Sequence, residues 1–166
     1  MKMIKIAVMS DNHGDDSQIQ DFLKFEKDAD YYVHCGDSET WNPELLRRFY
    51  AVKGNNDWAI DLKNNIVFEA GGHRILVTHG HRCGYFNREA LLAQMAKEQQ
   101  CDIVFCGHTH MPMNTVVDGI HVINPGSTRL PRGGSANMYC ICYLDGPKIT
   151  VEFRSIFDGQ ENTVIF

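Results

Sequence analysis

Several things are scarce or missing in this chain of 166 residues. It has no basic surplus: 16 Lys and Arg stand against 21 Asp and Glu, for a formal net charge of −5. A general nucleic-acid binder normally carries a basic face, so that class is not expected, although a bound divalent pair would itself add positive charge to an enzyme site. No apolar run approaches the ~18 residues of a membrane span. Met1–Ser10 reads as a strand running straight into Asp11, not as a signal peptide, so a cytoplasmic protein is expected. The six cysteines (Cys35, Cys83, Cys101, Cys106, Cys140 and Cys142) contain no CxxC pair. They read as reduced thiols in a reducing compartment rather than as a disulfide framework. There is no HExxH and no evident glutamate base, which argues against a metallopeptidase. Repeats, linkers and low-complexity stretches are absent as well.

What is present is ordinary in bulk, with 43% hydrophobic and 22% charged residues, and suits one domain over residues 1–166. Met3–Met9 and Tyr31–Cys35 are continuous apolar runs of the buried-strand type. A helix is predicted between them over Ser17–Lys27 with Ser17 as its cap, completing a βαβ unit. Pro43 opens a short helix over Pro43–Phe49, followed by a strand over Ala51–Lys53. Ile66–Ala70 and His73–Thr78 form a hairpin around Gly71-Gly72. Asn87 is predicted to cap a helix over Arg88–Gln99 with Leu91, Leu92 and Met95 on its apolar face, before a strand over Asp102–Cys106. Two further hairpins turn at Asp118-Gly119 and Asp145-Gly146. Parallel βαβ units followed by antiparallel hairpins imply two packed sheets with helices outside. Residues 155–166 have no clear place, as a final strand or a loose tail.

The chemistry gathers at strand ends. Asp11-Asn12-His13, Gly36-Asp37, Gly54-Asn55-Asn56-Asp57, His79-Gly80-His81 and Gly107-His108-Thr109-His110 each follow a short apolar run. Carboxylate oxygens and imidazole nitrogens bind hydrolytic metals, and open α/β sheets present such groups at the carboxyl ends of their strands. A single DxH pair is also what a turn and a surface histidine produce. Five strand ends finishing this way point to a two-metal hydrolase site. His34, His73 and His121 read as structural or solvated, whereas His81 follows a ligand by two positions and faces the same cavity.

The ordered set D-x-H, G-D, G-N-x-D, H-G-H and G-H-x-H resembles the calcineurin-like metallophosphoesterases. It is most similar to their small single-domain bacterial and archaeal phosphodiesterase branch, over about residues 3–154. That resemblance implies a four-layer αββα sandwich of two mixed β-sheets flanked by helices. It also implies a dinuclear centre, with a metal-bridging hydroxide as the nucleophile. Asp11, His13, Asp37 and His110 would hold one divalent ion, and Asp37, Asn55, His79 and His108 the second, with Asp37 bridging. Manganese is the leading candidate, with nickel, iron, cobalt and zinc also compatible with nitrogen and oxygen ligands.

One position departs from the family pattern. Many members place a histidine after the ligand asparagine, thought to protonate the leaving oxygen. Here Asn56 occupies that position, so Asn56, Asp57 and His81 are the catalytic positions to inspect. His81 and His13 are the candidate replacement donors. Arg129 and Arg132, in the loop Asn124–Arg132, are candidates to grip a phosphate together with His81; a solvated turn is the competing reading. Arg82 and Tyr85 rank behind them. Trp41 and Trp58 follow metal motifs closely; core or rim packing is the favoured reading, with walling of the pocket the alternative. The leading expectation is a phosphodiesterase acting on a small phosphoester, in which a homo-oligomer is possible. A phosphomonoesterase of the same fold is the near alternative. From another class comes a non-catalytic interaction scaffold resembling a retromer sorting subunit.

Overall fold

The computed structural model describes residues 2–162. Among these residues ten strands form two five-stranded sheets. The first contains β1 (Ile4–Met9), β2 (Tyr31–His34), β3 (Phe49–Ala51), β9 (Met138–Asp145) and β10 (Lys148–Ser155), in the order β10-β9-β1-β2-β3. The second contains β4 (Asn65–Ala70), β5 (His73–Thr78), β6 (Ile103–Phe105), β7 (Met113–Val117) and β8 (Ile120–Asn124), in the order β4-β5-β6-β8-β7. The second sheet is parallel at its centre (β5, β6 and β8) with an antiparallel hairpin at each edge, whereas the first is parallel from β1 through β2 to its edge strand β3 and antiparallel on the other side, through β9 and β10. The expected four-layer sandwich of mixed sheets is the observed architecture.

Three apolar layers explain why it holds. Ile6, Val8 and Val33 from the first sheet meet Ile75, Val77 and Phe105 from the second in the central core. The other face of the first sheet, through Ala7, Met9 and Ile141, packs on Ile19 and Phe22 of α1 (Asp16–Phe25). The other face of the second sheet, through Leu76, Val104 and Val122, packs on Leu92, Ala93 and Ala96 of α2 (Arg88–Glu98). Strands buried on both faces read as continuous apolar runs, which is why β1, β2 and β6 were recognisable. Glu26, fully buried beyond α1, is held by Tyr139 Oη at 2.5 Å, Arg154 Nη1 at 2.8 Å and Lys5 Nζ at 2.9 Å. That cluster ties β1, β9 and β10 to the end of the helix.

Several local expectations are corrected. Asp15, not Ser17, caps α1, its carboxylate accepting the Ser17 amide at 3.1 Å, because the helix starts at Asp16. The helix predicted over Pro43–Phe49 is a single 3-10 turn, Pro43–Leu46, and Phe49 already pairs in β3 with Tyr32. Asn87 makes no capping bond; it sits at φ 52° in the left-handed region that asparagine tolerates. Leu92 and, partly, Met95 are on the buried face of α2 as expected, but Leu91 is exposed and Arg88, Ala93 and Ala96 complete that face. The last hairpin turns at Gly146-Pro147, since Asp145 pairs with Lys148. Cys35, Cys101, Cys106, Cys140 and Cys142 are buried free thiols. Residues 155–162 turn back along β10, with Asn162 donating to the Phe153 carbonyl at 2.8 Å, and 163–166 lie outside the described residues. Among the described residues no helix is long and apolar enough to cross a membrane.

Candidate metal centre

The parallel strands β1, β2, β3, β5 and β6 all end at one rim, and the loops leaving them carry the predicted ligands. These loops are tight. Asp11, His13, Asp37, His108 and His110 all have positive φ, between 43° and 74°. Such geometry is costly for non-glycine residues and persists where surrounding contacts enforce it, typically at functional sites. Gly36 is required sterically as well as conformationally: a Cβ there would stand 2.6 Å from His79 Nδ1.

The loops bring their side chains together. Asp11 Oδ1 is buried and has no hydrogen-bond partner among the described residues. Around it stand His110 Nε2 at 3.3 Å, His13 Nε2 at 3.6 Å and His79 Nε2 at 3.9 Å. Asp37 Oδ2 lies 3.3 Å from His79 Nε2. Asn55 Oδ1 sits between His79 Nε2 at 3.0 Å and His108 Nδ1 at 3.3 Å. Two groups of ligand atoms therefore form, Asp11–His13–His110 and Asp11–Asp37–His79, with Asn55 and His108 beside the second. All seven predicted ligands converge. The carboxylate common to both groups is Asp11, whereas the resemblance gave that place to Asp37. Asp37 is also held by Asn56, whose backbone N–H donates to Oδ1 at 2.8 Å and whose side-chain nitrogen donates to Oδ2 at 3.2 Å.

The donor set fits divalent cations. Three imidazoles have their outer nitrogen committed: His79 Nδ1 donates to the Cys35 carbonyl at 2.7 Å, His110 Nδ1 to the Leu130 carbonyl at 2.7 Å, and His13 Nδ1 to Glu39 at 2.5 Å. This is the orientation by which a protein turns the remaining Nε2 toward a metal. His13 and His110 bring their Nε2 atoms within 3.0 Å of each other. An orphaned buried carboxylate oxygen ringed by such nitrogens is the arrangement a cation satisfies.

The electrostatics agree. Burial works to raise the Asp11 carboxyl, but close contacts with His110 and His13 outweigh it and hold it far below the usual range. Burial likewise resists ionisation of Asp37, and His79 wins, so its pKa is also lowered. His13 and His79 move up: desolvation, the largest single effect, disfavours their cations, but the neighbouring acids together outweigh it, Asp11 with Glu39 at His13 and Asp37 with Asp11 at His79. His108 is pushed down to about 4 by desolvation and by the positive charge of His79 and Arg88. His81 is lowered for similar reasons, with Arg82 contributing.

The remaining candidates separate into distinct places. His81 opens a 3-10 turn, its ring centroid 5.5 Å from that of His79, and its Nδ1 is buried without a partner among the described residues. Asp57 does not face the cluster. Its carboxylate accepts the amides of Asp37 at 2.9 Å, Glu39 at 2.9 Å and Gly54 at 2.7 Å, so it shapes the ligand loops. Arg129 donates to the His13 carbonyl, and Arg132 Nη1 lies 3.4 Å from Tyr85 Oη, so both guanidiniums have protein partners. Core packing of Trp41 and Trp58 is corrected: both are 83% exposed. Sequence reasoning missed three supports. Ser10 Oγ donates to Asp11 Oδ2 at 2.5 Å, and Glu39 orients His13. Arg88, 2% exposed, donates to the carbonyls of Gly80, Gly84, His79 and Gly107. Its signal was available: Arg88 lies on the same helical face as Leu92 and Ala96, an unusual place for a charge.

Comparison with known proteins agrees with this geometry. The profile described as the calcineurin-like phosphoesterase superfamily domain matches residues 4–146. The chain is 38% identical to the probable metallophosphoesterase YsnB of Bacillus subtilis over 153 residues, 90% of each protein. It is 27% identical to the phosphodiesterase YfcE of Escherichia coli K12, over 82% of this chain and 86% of that one. The structure of a conserved protein of Streptococcus pneumoniae, described as a predicted phosphoesterase, superposes with a TM-score of 0.87 at 31% identity. That superposition covers 95% of this chain and 92% of the other.

Proposed function

The chain belongs to the calcineurin-like phosphoesterase superfamily, and from that premise we propose that it is a metal-dependent phosphoesterase acting on small phosphodiesters. The observation that carries the proposal is Asp11 Oδ1, buried and unpartnered within 3.9 Å of three imidazole nitrogens. Asp11, His13 and His110 would hold one divalent ion, and Asn55, His79 and His108 the other. Asp37 would join the second set, and Asp11 is the carboxylate placed to serve both. When bound, such ions supply Lewis acidity toward phosphoryl oxygens and a water activated for attack at neutral pH.

The chain's own groups do the rest. Ser10 and the His108 amide orient Asp11, and Asn56 and the Asp57-braced loop orient Asp37. The outward Nδ1–H bonds of His13, His79 and His110 keep their Nε2 lone pairs turned inward. His81, neutral near pH 7 because desolvation and the charge of His79 depress it, is the imidazole left to contact the ester. Asn56 cannot act as a general acid, which favours substrates with good leaving groups. Diesters are preferred over monoesters in this reading because the E. coli relative is named a phosphodiesterase. A complete ligand set also favours an enzyme over a scaffold, which needs none. Manganese and a cytoplasmic site of action belong to the same proposal, the latter supported by the unpaired cysteines.

The test is manganese-dependent hydrolysis of bis-p-nitrophenyl phosphate, with loss expected in Asp37→Ala and His108→Ala. A folded protein silent with every divalent metal tried would overturn the reading.

A further inference from the structure

Trp41 and Trp58 are the only tryptophans in the chain, and both stand in water on loops that carry ligands, Trp41 after Asp37 and Trp58 after Asn55. Neither indole has a ring contact or a side-chain hydrogen bond among the described residues. Together with Glu39, Asn56 and Ala59 they line a depression of about 110 Å³. This hollow begins where the ligand cluster ends. Asn56 donates to both oxygens of Asp37, and the Glu39 carboxylate that shares the hollow holds His13 Nδ1.

We propose that Trp41 and Trp58 form a subsite for a planar nucleobase on one ester arm of the substrate, a small nucleotide phosphodiester; this rests on the phosphodiesterase reading above. Glu39 and Asn56 border both the ligand cluster and the hollow, so an ester arm leaving a phosphate on the Asp37 side would meet it. The hollow is too small to engulf a base but offers indole faces for one to lie against. Stacking on an aromatic ring is tolerant of base identity because every base has a π face. Glu39 and Asn56 supply polar atoms at the same edge, where an aliphatic arm would find none of the stacking and little use for the polar groups. The net charge of −5 and lack of basic surplus fit a small nucleotide better than a polymer.

Because all tryptophan emission comes from these two side chains, binding is directly visible. The metal-loaded full chain is titrated with thymidine 5′-monophosphate and, separately, with ribose 5-phosphate, which keeps a sugar phosphate but lacks the base. Saturable quenching by the nucleotide alone is expected. Trp41→Ala and Trp58→Ala should each weaken it about tenfold, and Trp→Phe should restore most of it. In hydrolysis, thymidine 5′-(p-nitrophenyl phosphate) should be preferred over methyl p-nitrophenyl phosphate in kcat/KM. The Ala variants should lose more on the nucleotide ester than on the methyl ester. Equal responses to both phosphates, or an unchanged preference in the variants, would overturn the subsite. So would tryptophans buried in a dimer and blind to nucleotide. If bis-p-nitrophenyl phosphate is not hydrolysed, the phosphodiesterase reading fails by itself, and the fluorescence comparison still decides whether a base is bound.

Discussion

Arg88 Nη2 donates to the Gly107 carbonyl at 2.7 Å, while Nη1 of the same guanidinium donates to the Gly80 carbonyl at 2.6 Å. One buried cation thereby ties the loop after β5, which carries His79, to the loop after β6, which carries His108. Among the described residues it has no carboxylate partner; carbonyl dipoles take up its charge. The fork geometry of arginine suits this and a lysine does not, since a single ammonium cannot span both loops.

Arg88→Lys should therefore fold but bind divalent metal about 10–100-fold more weakly, the usual scale for losing an outer support of metal ligands. Titration calorimetry with manganese and a thermal melt measure the two effects separately. Affinity equal to that of the parent would show that the loops hold themselves.

Metal binding should release protons, and the sign follows from the imidazoles. His13 and His79 have pKa values raised above the ordinary 6.5, chiefly because nearby carboxylates outweigh their desolvation. Both must be neutral to bind a cation, so affinity should fall as pH drops through their raised values, a window that opens above 6.5. Asp11 and Asp37 remain ionised there, and His108, pushed down to about 4, has no proton to lose. Calorimetry in buffers of different ionisation enthalpy should detect proton release near neutrality that vanishes in alkaline solution.

Asn56→His should raise turnover of poor leaving groups more than that of activated aryl esters. General acid help is worth roughly 10²–10⁴-fold where it is needed. The same change removes the Asn56 side-chain bond to Asp37, which affects both substrate types alike. The ratio of the two rates, measured for an alkyl and a p-nitrophenyl diester, isolates the gain; an unchanged ratio would count against it.

His73 predicts a separate effect on stability. Its Nδ1 lies 2.6 Å from Asp102 and its Nε2 2.6 Å from the Gly146 carbonyl, two acceptors that need two N–H donors. The ring is therefore cationic and joins the second sheet to the β9–β10 turn of the first. Its pKa is raised above 6.5, because Asp102 and that carbonyl outweigh desolvation. The stabilisation is complete below the unfolded value and is lost as pH rises through the folded one. Urea unfolding of His73→Gln should show its largest deficit on the acidic side of that window and converge with the parent on the alkaline side.

The metal site was legible because five strand ends in succession carry acids, amides and imidazoles; each alone is also what a turn produces, as Asp57 shows by serving backbone amides, and the family resemblance picked the ligands out of those segments. The strands were legible because burial on both faces leaves uninterrupted apolar runs, as in β1 and β6. Helix ends read less well, since Asp15 and Ser17 are equally good caps on paper and only the path of the chain selects between them.

Residue types and their order along the chain were enough to specify two packed sheets, the outer helices and five strand ends rich in acids, amides and imidazoles, while the family resemblance singled out seven side chains among them. Local chemistry and motif order carry that information. Which atoms support those side chains depended on folding: Arg88 reaching four carbonyls, Asp57 turned to backbone amides, Trp41 and Trp58 left in solvent. These contacts join segments far apart in sequence, and a side chain's partner is set by where the sheets bring the loops, not by its neighbours along the chain.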